Sequence, residues 1–302
     1  MKILITGASG QLGAYLLDEL ARGGHAALGW AGAHPGRRGD VELVPVDLAD
    51  LDAIEPALDR ADPAAIVHAA AISSAEAARL DPDRATLVNF AATRRIAEWA
   101  ESHHRRFVFT STDLVFGGDR AMNHEDDPAE PILTYGRTKR AAERAVLIAP
   151  VSAVLTHPIA AAARLPLLFG PSRCGRPGFF DRAIAALRRG EPQTFFDDEY
   201  RTPLDYRSAA RGLIRLATSD VAGLIHLAGA ERLSRFELMR RAAVALGIDP
   251  SLVRANRRAD APGAEPRPAD VSLATDRWRS LFPDQPWPTI EAALAAEAEV
   301  AA

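Results

Sequence analysis

Cysteine and lysine are scarce in this sequence, and both shortages are informative. Cys174 is the single cysteine among 302 residues, so an internal disulfide bond is excluded. One thiol without a nearby second cysteine or histidine is also a poor set of ligands, so we expect no metal site. Of the 36 lysine and arginine residues only Lys2 and Lys139 are lysines. Because lysine is so rare here, we ask whether each of the two has a chemical role.

Long apolar runs and an excess of positive charge are missing as well. No window of about 18 apolar residues is free of charge, so we expect no membrane span. The first residues lack the apolar run and cleavage site of a secretory signal, which with the single thiol favours a cytoplasmic protein. A net charge of −4 and a pI of about 6.1 offer no broad basic face for nucleic acid. The composition, 48 % apolar and 25 % charged, is that of a globular protein.

The first 150 residues alternate short apolar runs with amphipathic stretches, which is typical of βαβ units around a parallel sheet. The predicted strands are Met1–Thr6, His25–Trp30, Val41–Val46, Ala65–Ala71 and Arg106–Thr110. The predicted helices are Gln11–Arg22, Asp52–Arg60, Asp83–Ser102 and Tyr135–Val146. We therefore expect an α/β fold, a Rossmann-like doubly wound parallel sheet, with residues 1–150 as its dinucleotide-binding domain.

Residues 151–302 are less regular and predict a smaller, mixed α/β substrate-binding part whose strands return to the main sheet. Strands are predicted at Ala160–Phe169 and Gly223–Ala228, and helices at Phe179–Arg189 and Ser234–Leu246. The second of these helices has a serine in the N-cap position and a glycine after its end. The Arg- and Pro-rich stretch Pro250–Pro268 predicts a surface loop.

A turn with three glycines joins the first predicted strand to the first helix. Gly7 allows a tight turn, Gly10 allows the backbone to approach a pyrophosphate, and Gly13 allows the helix to pack closely on the strand. The N–H groups at the start of the helix are then free to bind phosphate oxygens. An ordinary glycine-bearing turn is the alternative, but the strand–turn–helix context favours dinucleotide binding.

The choice of dinucleotide depends on the end of the second predicted strand. NAD sites usually carry an acidic residue there, whereas this chain has the uncharged residues Gly29–Gly32. Arg37 and Arg38 follow and could pair with the 2′-phosphate of NADP, although they could equally be solvated loop arginines. NADP(H) is therefore favoured, and NAD(H) is not excluded.

Tyr135, Lys139 and Thr112 form a second group of candidate residues. Tyr135 and Lys139 are four apart in a predicted helix and so share a face. A nearby ammonium lowers the pKa of a phenol, which suits proton exchange, and the same lysine can bind the nicotinamide ribose. Thr112 lies just after a predicted strand and can bind a substrate carbonyl oxygen. The alternative for the Tyr–Lys pair alone is an exposed helix pair.

Together these motifs resemble those of the extended short-chain dehydrogenases/reductases, and most closely the dTDP-4-dehydrorhamnose reductase group. The resembling segments are TGASGQLG (6–13), VDL (46–48), HAAAISS (68–74), LVNFAAT (87–93), FVFTSTDLVFGG (107–118), YGRTK (135–139), RLPLLFGP (164–171) and RPADVSLAT (267–275). The resemblance implies a cofactor site in which Gly10, Gln11 and Leu12 contact the pyrophosphate, Asp47 and Leu48 the adenine, and Ala69, Ala70 and Ala71 line the cofactor. Two simpler alternatives stay open, because Asp47 could cap a helix and the alanines could be a buried strand end.

The resemblance also implies substrate contacts, with departures from the group. Thr112 and Asp113 would approach the sugar, and Arg201 and Arg267 would bind its diphosphate, although each arginine could be a surface charge. Leu167 stands where the group usually has a tryptophan or another sugar-contacting residue. Only Glu76 remains of the acidic residues that follow the alanine run. The active strand also lacks the glutamate of the related dehydratases, which argues against dehydration.

These features predict an NAD(P)H-dependent reductase of a ketone, most concretely of a 4-keto nucleotide sugar. A sugar-nucleotide epimerase of the same superfamily is one alternative, and a non-catalytic NADP-binding regulatory subunit is another. The expected partner is a small molecule rather than nucleic acid or membrane, and a homodimer is compatible with the sequence.

Overall fold

A large sheet forms the centre of the protein, whose residues 1–148, 159–260 and 265–301 are described by a computed structural model. The described strands are β1 (Lys2–Thr6), β2 (Ala26–Ala31), β3 (Gly36–Arg38), β4 (Val41–Pro45), β5 (Ala65–His68), β6 (Arg106–Thr112), β7 (Ala160–Leu165), β8 (Leu168–Phe169), β9 (Gln193–Phe196), β10 (Tyr200–Arg201), β11 (Leu204–Asp205), β12 (Gly223–His226), β13 (Leu233–Ser234) and β14 (Val253–Asn256). Eight of these make the sheet in the order β12-β7-β6-β5-β1-β2-β4-β3. All neighbours in it are parallel except β3 and β4.

Helices cover both faces of this sheet. The described helices are α1 (Gln11–Arg22), α2 (Leu51–Ala61), α3 (Ala75–Leu80), α4 (Pro82–Thr86), α5 (Ala92–Ser102), α6 (Thr134–Ile148), α7 (Phe179–Arg188), α8 (Tyr206–Ala217), α9 (Arg235–Ala245), α10 (Asp276–Leu281) and α11 (Ile290–Ala301). Alternate residues of a strand point to opposite faces, so in β1 Ile3 and Ile5 pack with α1 and α8, whereas Leu4 packs with α2 and α5. The doubly wound α/β fold expected from the sequence is confirmed.

A third apolar cluster lies among α7, α9 and α11, outside the large sheet. The later part of the chain also returns to the sheet, because β7 and β12 occupy one end of it. This confirms the strand predicted at Gly223–Ala228. The predicted boundary at residue 150 lies outside the described residues.

Most predicted elements are confirmed to within one or two residues, but the strand predicted at Ala65–Ala71 ends at His68, and a predicted helix and another predicted strand are interrupted. The helix predicted at Asp83–Ser102 is interrupted by a π turn, in which the buried Asn89 side chain bonds both backbone groups of Ile72. The strand predicted at Ala160–Phe169 is broken after β7 by Pro166, which has no N–H for a ladder. The segment after β2, interpreted as a loop, contains the short strand β3, which pairs with β4. The residues after Pro166 form β8, which pairs with β11 and is not part of the large sheet.

The surface loop predicted at Pro250–Pro268 is partly wrong as well. It contains β14, which pairs in parallel with β9, while residues 261–264 lie outside the described part of the chain. Within the described ranges, no helix has both the length and the apolar composition that a membrane span needs.

Candidate active site

A cleft of about 1000 Å³ opens at the carboxyl ends of β1, β2, β5, β6 and β7. This edge of an open parallel sheet is where α/β proteins bind ligands, because the loops that follow the strands diverge there. The later part of the chain forms the opposite wall with Leu167, Phe179, Arg201, Tyr206 and Arg235. The cleft is thus enclosed by both the early and the late part of the chain.

The glycine turn forms one end of the cleft and has the geometry that a pyrophosphate needs. Gly7 has a φ of +69°, and a Cβ at this position would lie 2.9 Å from the Cα of Ala70. A Cβ at Gly13 would lie 2.2 Å from the Gly7 carbonyl oxygen. No side chain caps the N-terminus of α1 at Gly10, so its first N–H groups remain available to an anion.

The predicted cofactor residues of this turn and of the neighbouring loops all line the cleft. They are Gly7, Gly10, Gln11, Leu12, Gly13, Asp47, Leu48, Ala69, Ala70 and Ala71. Asp47 does not cap α2, because Asp50 does so by accepting a hydrogen bond from the Ala53 N–H. The three alanines follow the end of β5 and are half-buried at the cleft. The residues present therefore fit a dinucleotide, and their contacts with it stay predictions.

Arg37 and Arg38 lie on β3 and do not line the cleft. The Arg38 guanidinium donates two hydrogen bonds to the Asp18 carboxylate, at 3.0 and 2.8 Å, and a third to the Arg173 carbonyl oxygen. Arg37 is exposed, and among the described residues the backbone oxygen of Asp40 is its one hydrogen-bond acceptor. The structure thus does not bring the two arginines to the site, and their role toward a 2′-phosphate stays a prediction.

Thr112, Tyr135 and Lys139 all line the cleft. Thr112 ends β6, and its hydroxyl accepts a hydrogen bond from the Leu114 N–H at 3.2 Å. Tyr135 is the second residue of α6 and lies beside this turn, which is possible because the next residue is Gly136. A Cβ there would lie 2.1 Å from the Leu114 carbonyl oxygen. The sequence-based grouping of these three side chains is matched by their positions in the structure.

The electrostatics of the Tyr–Lys pair differ from the sequence-based expectation. Burial, and next the negative charge of Asp113, raise the pKa of the Tyr135 phenol above its usual value, against a hydrogen bond with Thr112. Burial lowers the pKa of Lys139 to about 7, and Glu143 opposes this shift. The Lys139 Nζ lies 4.1 Å from the centre of the Phe109 ring. The phenol is therefore protonated at neutral pH, and the lysine is only partly charged.

A buried ion pair that the sequence analysis missed lies behind Lys139. Glu143, one turn further along α6, accepts two hydrogen bonds from the Arg164 guanidinium, at 2.8 and 2.9 Å, and one from Ser111 at 2.6 Å. Glu143 and Arg164 are 0 and 1 % exposed. An arginine within the apolar stretch Ala160–Leu165 was the signal that could have revealed a buried partner.

A second group of charges lies around Asp113, at the end of the cleft where the substrate is predicted to bind. Arg201 donates to Asp113 Oδ1 at 2.8 Å, and burial raises the pKa of this carboxyl against the effect of Arg201. Glu199 is within 3.0 to 3.3 Å of Arg201, Arg235 and Arg267. Asp113 and Arg201 line the cleft, whereas Arg267 does not. Arg235 also lines it, and nothing in the sequence distinguishes it from the other arginines.

We also looked for side chains that could bind a metal ion. Within the described ranges, no cluster of three or more His, Cys, Asp and Glu side chains is placed to hold a metal ion. Leu167, which departs from the usual residue of the reductase group, lines the cleft next to Leu168.

Similarity to known proteins agrees with this geometry. The chain is 33 % identical over 293 residues to a probable dTDP-4,6-dihydroxy-2-methyloxan-3-one 4-ketoreductase of Streptomyces antibioticus, covering 95 % of this chain and 92 % of the relative. It is 29 % identical over 280 residues to the dTDP-4-dehydrorhamnose reductase of Mycolicibacterium smegmatis, covering 91 and 79 %. The crystal structure of dTDP-4-dehydrorhamnose reductase from Bacillus anthracis in complex with NADP superposes with a TM-score of 0.83 at 21 % identity, covering 99 % of both chains.

The family assignment rests on the whole chain rather than on one motif. Residues 1–299 match the family described as the RmlD substrate binding domain. The resemblance to the dTDP-4-dehydrorhamnose reductase group inferred from the sequence is thereby confirmed. The chain belongs to the RmlD substrate-binding domain family.

Proposed function

We propose that this protein is an NAD(P)H-dependent reductase that converts the ketone of a 4-keto nucleotide sugar to an alcohol. The observation that carries the proposal is the meeting of Thr112, Tyr135 and Lys139 in the same cleft as an uncapped glycine turn. The names of the two relatives described above support it, because both are named as reductases of dTDP-linked keto sugars.

The residues of the chain suit the proton half of this reaction. A bound nicotinamide cofactor supplies the hydride that the carbonyl carbon receives. The Tyr135 hydroxyl, protonated at neutral pH because its pKa is raised, donates its proton to the carbonyl oxygen. The Thr112 hydroxyl accepts a hydrogen bond from the Leu114 N–H and donates one to Asp113 Oδ1, and it turns its proton from Asp113 to the carbonyl oxygen when the ketone binds. Lys139, when protonated, stabilises the phenolate left on Tyr135, which regains its proton from solvent.

A panel of 4-keto nucleotide sugars tests this function through the oxidation of NADPH by the purified protein. We expect turnover with at least one dTDP-linked ketone and free exchange of the cofactor. Stoichiometric NAD that survives purification and is released only on denaturation would favour the epimerase instead. Failure on every ketone, with a second protein recovered in stoichiometric amount, would favour the regulatory subunit.

The cofactor proposed for this site is NADP(H), because no carboxylate stands at the end of β2 to repel a 2′-phosphate. Gly32 lines the cleft there, and a Cβ at this position meets no atom within 4 Å. We therefore expect Gly32→Asp to weaken NADPH binding by about 10- to 100-fold, since each ~1.4 kcal/mol of repulsion is a factor of ten. NADH binding should be retained or improved, because the carboxylate can accept a hydrogen bond from the ribose.

Gly32→Asn is the control for this change, because it has the same shape without the charge. Isothermal titration with both cofactors measures the outcome, and Asn should lose much less NADPH affinity than Asp. Equal NADPH and NADH affinities in the unmodified protein would contradict the proposed preference.

The proposal also covers the location, the partners and the assembly of the protein. We propose that the protein works in the cytoplasm on a small molecule, without nucleic acid, and that it can form a homodimer. The single cysteine supports the cytoplasmic location, and the modest negative charge supports a small-molecule partner rather than nucleic acid.

A further inference from the structure

Positive charge is in excess at the substrate end of the cleft. Arg201, Arg235 and Arg267 all lie within 3.3 Å of Glu199, which is 1 % exposed, and Asp113 is the only other carboxylate hydrogen-bonded to these arginines among the described residues. Three guanidinium groups thus stand against two carboxylates. The Arg235 side chain is 29 % exposed, so solvent meets the part of its charge that Glu199 does not, and an anion that enters the cleft can take the place of that solvent.

Arg235 is the arginine that lacks a full set of partners. Arg201 is held between Asp113 and Glu199, and Arg267 donates a hydrogen bond to Glu199 from outside the cleft. The Arg235 Nε lies 3.0 Å from Glu199 Oε1, but without the geometry of a hydrogen bond. No described residue accepts a hydrogen bond from its guanidinium. Burial, together with the positive charges of Arg201 and Arg267, lowers the pKa of Arg235.

The surroundings of Arg235 indicate the chemistry of the missing anion. A guanidinium group has a planar fork of donors that matches the oxygens of a phosphate. The side chain of Arg235 lines the cleft, with its Cζ 5.8 Å from the centre of the Phe179 ring. Leu167 and Leu168 line the same wall. This combination suits a phosphate that is attached to a flat, weakly polar group, as in a nucleoside diphosphate.

We propose that Arg235 binds the diphosphate of the substrate and so selects nucleotide-linked sugars over free sugars. This inference rests on the proposed function, because it concerns the substrate half of the same cleft. It assigns to Arg235 a contact that neither Glu199 nor any other described residue satisfies.

Titration with dTDP tests the inference without any need for turnover. We expect Arg235→Ala to weaken dTDP binding by about 10- to 100-fold, the range of one charge-assisted phosphate contact. Arg235→Lys keeps the charge without the fork and should lose an intermediate amount. The control is Arg240→Ala, which removes an exposed arginine from the same helix, α9, and should leave the affinity unchanged.

Steady-state kinetics supply the second readout. With a ketone that is turned over, Arg235→Ala should raise KM by a similar factor and change kcat much less, because the diphosphate is not the group that reacts. The inference is overturned if the Ala and Lys variants bind dTDP as tightly as the unmodified protein, or if Arg240→Ala loses as much. Arg235-dependent binding of dTDP without reduction of any ketone would support the inference while refuting the proposed reductase.

Discussion

Replacing Tyr135 with phenylalanine is expected to lower the turnover number by about 10²- to 10⁴-fold, the usual contribution of a general acid. The substitution removes only the hydroxyl that is proposed to donate the proton. The ring can keep its packing against Ala78 and Ala85, so the fold and the glycine turn should not change. Steady-state NADPH oxidation measures the loss, and titration with NADPH should show that the cofactor still binds.

Tyr200→Phe is a suitable control for this experiment. Tyr200 does not line the cleft, and its ring, which lies 3.6 Å from the Arg232 guanidinium carbon, is retained in phenylalanine. This variant should turn over at the normal rate. A Tyr135→Phe enzyme that keeps its full turnover would show that another group supplies the proton.

The largest expected loss of stability follows from Arg164→Met. Removal of this guanidinium breaks the buried pair and leaves Arg140, whose Nη1 lies 2.9 Å from Glu143 Oε2, as the remaining arginine partner of the carboxylate. We therefore expect a loss of about 3 kcal/mol, the low end of the range for a broken buried ion pair. Because Arg164 and Ser111 help to hold the pKa of Glu143 below its usual range, the stabilisation is present at neutral pH. It is lost as the pH falls through the folded-state pKa, where the carboxylate becomes protonated. Urea denaturation at neutral pH measures the difference in the free energy of unfolding.

Two companion variants separate the buried charge from simple loss of packing. The double variant Arg164→Met with Glu143→Leu removes both charges and should recover most of the lost stability, because a packed apolar pair often replaces a buried ion pair without cost. Arg95→Ala breaks an exposed pair with Glu55 and should cost less than about 1 kcal/mol. A loss in Arg164→Met no greater than in Arg95→Ala would contradict this account.

The parts of the fold that could be predicted are those fixed by local signals. The helix at Gln11–Arg22 was predicted with its observed bounds, because a glycine turn precedes it and Gly23 follows it. The break after β7 is caused by Pro166. It was not predicted, because proline is apolar and Pro166 lies within an apolar run that resembles one continuous strand. The pairing of β14 with β9 joins residues about 60 apart, and an Arg- and Pro-rich composition gives no sign of such a contact.

The residues of the candidate site can likewise be separated into those that local sequence signals predict and those that they do not. The meeting of Thr112, Tyr135 and Lys139 in one cleft was predictable, because Tyr135 and Lys139 are four residues apart in a predicted helix and Thr112 follows a predicted strand. Arg235 was not, since its significance comes from its distance to Glu199, and many arginines share its local pattern. The partial neutrality of Lys139 could not be predicted either, because it results from burial beside Phe109.

In the large sheet, strands from the early part of the chain pair with strands from the later part, and this order affects the newly made chain. β6, which ends at Thr112, pairs with β5 on one side and with β7 on the other, where Thr112 stands opposite Leu165. Ribosomal synthesis runs from the amino terminus, so the outer edge of β6 has no partner until β7 has been made. At ~5–20 residues per second this interval lasts on the order of 3–10 s. During it, the apolar edge strand that carries Thr112 is open to pairing with another chain, so a wrong pairing there would also displace a predicted site residue.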